Sequence, residues 1–236
     1  MSEISPKLNE HLNGLTNEVS RRHFDEALEH GREAIASNEL HSNENRSILA
    51  AVYRNMGAAN DHLGRDDIAC DYMEQAYRIH DDQVAENRTP EALRERSATA
   101  SYIGIFATKA YLAGRRQDPE LAKKAIGAVH QAEADMAEAG RISGDKYHQY
   151  EINMTGRWSM IESLVGSKGR GFVLAGRAIR LAPLSEKNQQ KGLTKKDVLR
   201  ARKRALMRGV AAMAVNLASR TKPTEKVAES IANKAM

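Results

Sequence analysis

The chain has a single cysteine, Cys70, among 236 residues. It cannot close an internal disulfide, so the sequence reads as that of a protein from a reducing compartment, with Cys70 expected as a small core residue. No apolar run approaches the roughly 18 residues needed to cross a membrane. The opening MSEISPKLNE has no basic segment followed by an apolar stretch, which argues against a secretory leader. A cytoplasmic location without a membrane span is therefore the expectation. Aromatic residues make up only 5% of the chain. β-branched residues are also sparse, whereas Ala, Leu, Glu, Lys and Arg are plentiful. That balance disfavours strands and predicts an all-α protein.

Prolines number only five, and all lie where helices would begin or end. Ser5-Pro6, Thr89-Pro90 and Asp118-Pro119 each set a capping side chain before a proline at the first helical position, where the missing N–H costs nothing. Pro183 follows LAGRAIRLA and stops that helix, and Pro223 marks a break before the last segment. Helical spacing of apolar residues between these marks predicts ten helices, near 6–21, 24–37, 44–63, 66–84, 90–113, 119–139, 145–165, 170–182, 195–219 and 224–235. Short turns between them predict helical hairpins.

Small residues recur at fixed places within this pattern. The second helix of four successive hairpins carries two of them seven apart, two turns along one face: Ala27 and Ala34, Ala69 and Ala76, Ala125 and Ala132, Gly171 and Ala178. Helices joined by a tight turn approach closely only where side chains are small, and a left-handed residue closing the first helix favours glycine at Gly64. A plain helical bundle also places small residues at close crossings, but periodic self-similarity favours a repeat.

The stretch 53–81 resembles a tetratricopeptide repeat, matching its large and small positions at Tyr53, Met56, Gly57, Leu63, Gly64, Ala69, Met73, Ala76 and Ile79. Residues 23–35 resemble the second helix of such a repeat, and 166–183 a turn, second helix and closing proline. The third hairpin departs, with ten residues from Gly104 to Gly114 where 53–81 has seven from Gly57 to Gly64. Gly156 to Gly166 is also ten, and successive small pairs lie 42, 56 and 46 residues apart against the family's ~34. The resemblance implies a right-handed solenoid of antiparallel helix pairs over 1–184, capped by a basic helical segment over 185–236. It points Arg54, Ala58 and Asp61 toward a concave groove that would bind a peptide or protein. Family members that hold a C-terminal carboxylate there use an asparagine where this chain has Ala58, which argues against that kind of ligand.

Catalytic and metal-binding patterns are thin. Eight histidines are scattered without an HExxH motif or a cysteine pair. Glu26 and His30 stand one turn apart and read better as a solvated pair than as metal ligands. The HDD at 80–82 reads as a loop after a helix. GSKGRG, 166–171, lacks the phosphate-loop spacing and a preceding strand, and reads as an interhelical turn with Lys168 and Arg170 exposed. Trp158, at helical spacing with Met154, Ile161 and Val165, reads as core. No enzyme activity, cofactor or metal is expected.

Charge is unevenly distributed. Residues 1–150 hold 18 Lys and Arg against 25 Asp and Glu, while 186–236 hold 13 against 4. Within TKKDVLRARKRALMRGVAAMAVNL, 194–217, Leu199, Leu206, Val210, Met213 and Leu217 fall within about 60° of arc and are expected to pack inward. Lys195, Lys196, Arg200, Arg204 and Arg208 would then face outward as a polyanion-binding surface. Two functions follow as expectations. The first is a noncatalytic scaffold or adaptor binding a protein or peptide in the repeat groove, with a homo-oligomer compatible with its solenoid ends. The alternative is a nucleic-acid-associated protein whose C-terminal cations contact phosphates.

Overall fold

Three helix starts follow from one local device. Ser5, Thr89 and Asp118 each precede a proline, and their side-chain oxygens accept hydrogen bonds from the backbone N–H of Leu8 (3.3 Å), Ala92 (3.2 Å) and Glu120 (2.9 Å). The computed structural model describes residues 4–114, 116–144, 149–181, 195–219 and 222–235. They form α1 (Pro6–Arg21), α2 (Phe24–Ala36), α3 (Arg46–His62), α4 (Asp66–Glu86), α5 (Pro90–Ala113), α6 (Pro119–Ser143), α7 (Gln149–Val165), α8 (Lys168–Leu181), α9 (Lys195–Ala218) and α10 (Lys222–Ala235). Two 3-10 turns, Asn38–His41 and Asn43–Asn45, link α2 to α3, and no strand occurs among the described residues. The protein is all-helical.

Gly64 takes the left-handed conformation expected between α3 and α4, with φ of 73°. All eight residues of the four small pairs are buried. Their reason is visible at the crossings. A methyl group on Gly57 of α3 would sit 3.2 Å from the Ala69 carbonyl oxygen of α4. On Gly104 of α5 it would sit 3.3 Å from the Ala125 carbonyl oxygen of α6. The fourth crossing exchanges the roles: Gly171 of α8 lies against the Ser159 carbonyl of α7, with 3.0 Å left for a methyl group. Gly156 serves another contact, packing against Arg208 of α9.

The core runs along the chain in overlapping clusters. Leu8, Leu15, Leu28, Leu40, Tyr53 and Met56 anchor α1 to α4. Met73, Ile103, Phe106, Val129, Trp158 and Ile161 join α4 to α8. Met160, Leu164, Ala175, Ala212, Val215 and Ala228 join α7 to α10. Substantial packing among the described residues is confined to helices one to three places apart in the chain.

Two local expectations change. The HDD at 80–82 lies inside α4, where His80 is buried, Asp81 pairs with Arg96 at 2.5 Å, and Val84 packs with Leu93 and Ala139. Burial of Val84 rewards the extra helical turn that a loop would forfeit.

The larger change concerns α9. Its inward face consists of Gly209, Ala212, Val215 and Asn216, while Leu206, Val210 and Leu217 are 43%, 48% and 55% exposed and Met213 is half-buried. Close approach explains the reversal. A methyl group on Gly209 would come within 2.9 Å of Ile179 Cγ1 of α8, so only a small-residue face fits. The Asn216 amide fastens that face by donating to Ser163 Oγ at 2.9 Å and to the Lys168 carbonyl at 2.7 Å. The side chain of Leu199 lies outside the described residues.

Candidate functional site

A recess with a volume of about 600 Å³ lies between α3 and α5. Arg54, Asn55, Ala58, Asp61 and His62 of α3 form one wall, and Glu95, Ala98, Tyr102, Ile105 and Phe106 of α5 the other. Met73 of α4 reaches the base and Arg157 of α7 closes the far side. Arg54, Ala58 and Asp61, the three residues expected in a groove, thus lie in one recess. Seven residues separate Arg54 from Asp61, two helical turns or roughly 10 Å along α3.

The helix pattern accounts for this placement. Tyr53, Met56, Gly57 and Asn60 turn one face of α3 into the core, leaving Arg54, Ala58 and Asp61 on the adjoining face toward α5. α5 is held by packing against α4, α6 and α7. Trp158 donates from Nε1 to Ser101 Oγ at 2.9 Å, which fixes α7 beside Tyr102 and brings Arg157 to the recess.

Its charges are largely committed. Arg54 is ion-paired to Glu95, and Asp61 to Lys109 at 2.5 Å, so each wall carries part of a bridge between α3 and α5. The His62 ring stacks on Phe24, with centroids 4.5 Å apart. At the Asp61 end, burial pushes the Asp66 carboxyl up to about 6, reinforced by a hydrogen bond with Asp61 and opposed by Lys109. Between the bridges, Ala58, Ala98, Tyr102 and Phe106 supply apolar surface. Arg157 differs from its charged neighbours. Its Nη1 donates a weak bond to Met154 Sδ at 3.7 Å, and its buried Nε has no partner among the described residues.

Of the expected polyanion surface, the described side chains include only Arg208. The side chains of Lys195, Lys196, Arg200 and Arg204 lie outside the described residues. Arg208 is half-buried, with its Cβ and backbone carbonyl against Gly156 of α7. The GSKGRG stretch is a turn only at Gly166 and Ser167; in the first turn of α8, Lys168 donates to the Ser219 carbonyl, while Arg170 pairs with Glu133 and, at 3.0 Å, with Glu162. Both cations brace neighbouring helices although solvent touches them.

His30 turns away from Glu26 toward α1, where its Nδ1 lies 3.5 Å from that of His11. No group of three or more potential metal ligands occurs among the described residues, and no helix there is long and apolar enough to cross a membrane. Cys70 is buried, and burial pushes its thiol up to about 12, so it remains protonated at neutral pH.

Sequence reasoning missed the partners of these residues. Glu95 and Lys109 lie 41 and 48 positions from the groups they bridge, too far for any local pattern. It also missed Arg157, which stands beside the core tryptophan and carries no motif. Comparison with protein-family models, curated proteins and solved structures returns no match to this chain.

Proposed function

We propose that this protein is a noncatalytic interaction scaffold, a right-handed solenoid of antiparallel helix pairs similar to the tetratricopeptide adaptors. It holds a peptide or a protein segment in the recess between α3 and α5. The observation that carries the reading is that recess itself: about 600 Å³, with an apolar floor between two ion-paired ends. Confinement of packing to helices near one another in the chain also supports a repeat architecture. The mechanism is rigid presentation. Bridges from Arg54 and Asp61 hold the two walls before a ligand arrives, so little ordering entropy is lost on binding. Groups that would otherwise serve in proton transfer, Asp61 and Glu95, are occupied by these bridges, which favours binding over catalysis.

Ala58 is half-buried on the recess wall, so Ala58→Arg fills the recess while leaving the α3 core face untouched. The test uses the full chain as bait in nuclease-treated lysate of its host. A protein retained by the wild type and lost with Ala58→Arg supports the reading. Equal retention by both overturns it. If every partner disappears on nuclease treatment and wild-type binding falls steeply with salt, the phosphate-binding alternative replaces it.

A further inference from the structure

We infer that the recess selects a segment pairing one carboxylate side chain with a neighbouring large apolar side chain, and that Arg157 receives the carboxylate. The inference rests on the groove reading above and adds the chemistry of the partner.

Three observations lead there. Among the charged residues lining the recess, Arg54 and Asp61 are neutralised across the groove, whereas Arg157 has no described ion pair. Its one described hydrogen bond uses Nη1 and a thioether sulfur, at 3.7 Å. That leaves the Nε and Nη2 edge, the fork that matches a carboxylate in bidentate geometry, while Nε is buried without a partner among the described residues. An unpaired donor of this kind is costly to bury, and an incoming carboxylate relieves that cost. The sulfur contact is a weak restraint, so the guanidinium can turn its free edge toward the recess.

Tyr102 and Phe106, with Ala58 and Ala98, define what lies beside the carboxylate: an apolar side chain seated on aromatic rings. A phosphate fits less well. Glu95 and Asp61 stand at the ends of the groove, and a lining cation without a described ion pair balances one negative charge. The span from Arg54 to Asp61, roughly 10 Å, accommodates about three residues of extended chain at ~3.3 Å each. That length favours a peptide segment over a lone small acid.

The test selects random linear peptides displayed on phage against the full chain. The best binder is then titrated as a fluorescein-labelled peptide against wild type, Arg157→Met, Arg157→Lys and Ala58→Arg. Selected sequences should share an Asp or Glu next to a large apolar residue. Arg157→Met should weaken binding roughly tenfold to a hundredfold, as should changing the peptide's acid to its amide. The two changes together should cost little more than either alone, and Arg157→Lys should restore part of the loss. Thermal melts of each variant confirm that it is folded. Peptides that lose affinity with Ala58→Arg but bind Arg157→Met unchanged would overturn this inference and leave the groove reading intact. Peptides indifferent to both variants, or no peptide selected, would overturn both. Competition by free glutarate as effective as the peptide itself would overturn the peptide assignment.

Discussion

Two helices of equal length, α5 and α9 with 24 residues each, solve burial in opposite ways. α5 carries Leu93, Ile103, Ile105 and Phe106 into the core and meets neighbours on several sides. α9 presents Gly209, Ala212, Val215 and Asn216 to α7 and α8, leaving Leu206, Met207, Val210 and Leu217 in solvent. Size alone does not decide which stripe of a helix turns inward. The separation of the neighbouring backbones decides, and at α9 the neighbours come so close that a methyl group at Gly209 has no room.

The largest effect should separate the two helices directly. Phe106→Ala, at a side chain 3% exposed, is expected to cost about 3–5 kcal/mol, and Leu217→Ala less than about 0.5 kcal/mol, in urea unfolding. Similar losses from the two would remove the distinction.

A second pair of substitutions sharpens it. Gly209→Ala adds a methyl group 3.1 Å from the Ile179 backbone nitrogen and should destabilise by about 1–3 kcal/mol despite the better helix former. Gly127→Ala on α6, where the added carbon meets nothing within 4 Å, should stabilise by up to ~1 kcal/mol. The sign difference is read from melting temperatures.

Thr89→Ala removes the side-chain cap of α5 and should cost about 1 kcal/mol, with loss of amide exchange protection centred on the first turn. A pH drift is also expected at the Asp61 end of the α3 wall. Burial holds the Asp66 carboxyl at about 6 in the folded protein, above the ordinary carboxylate range, so the folded state binds its proton more tightly. Its contribution is then favourable below the unfolded value and is lost as pH rises through about 6. Asp66→Asn should flatten the fall in stability between pH 4 and 7 in thermal melts. An unchanged slope would mean another group governs that range.

Much of the fold was legible because its signals are local. The three Ser, Thr or Asp caps before proline locate helix starts, Gly64 locates a left-handed turn, and the pairs seven residues apart locate crossings. The α9 orientation was not legible, because its apolar stripe satisfies helical periodicity as well as the small-residue face does. Only the approach of α7 and α8 chooses between them. At the recess, Arg54, Ala58 and Asp61 emerged from a local resemblance, whereas Glu95, Lys109 and Arg157 arrive from other helices. Arg96 shows the same limit in the core: its guanidinium pairs with Asp135, 39 positions away and 2% exposed, and the pair raises the already high pKa of the arginine.

In the proposed function, partners enter between α3 and α5 and do not dock on the exposed stripe of α9. Site-specific photocrosslinking tests it most directly, with p-benzoylphenylalanine placed at position 58 in one sample and at position 210 in another, each irradiated in host lysate. A discrete protein adduct is expected from position 58 and none from position 210. Adducts from position 210 alone would contradict it and move the interaction surface to α9.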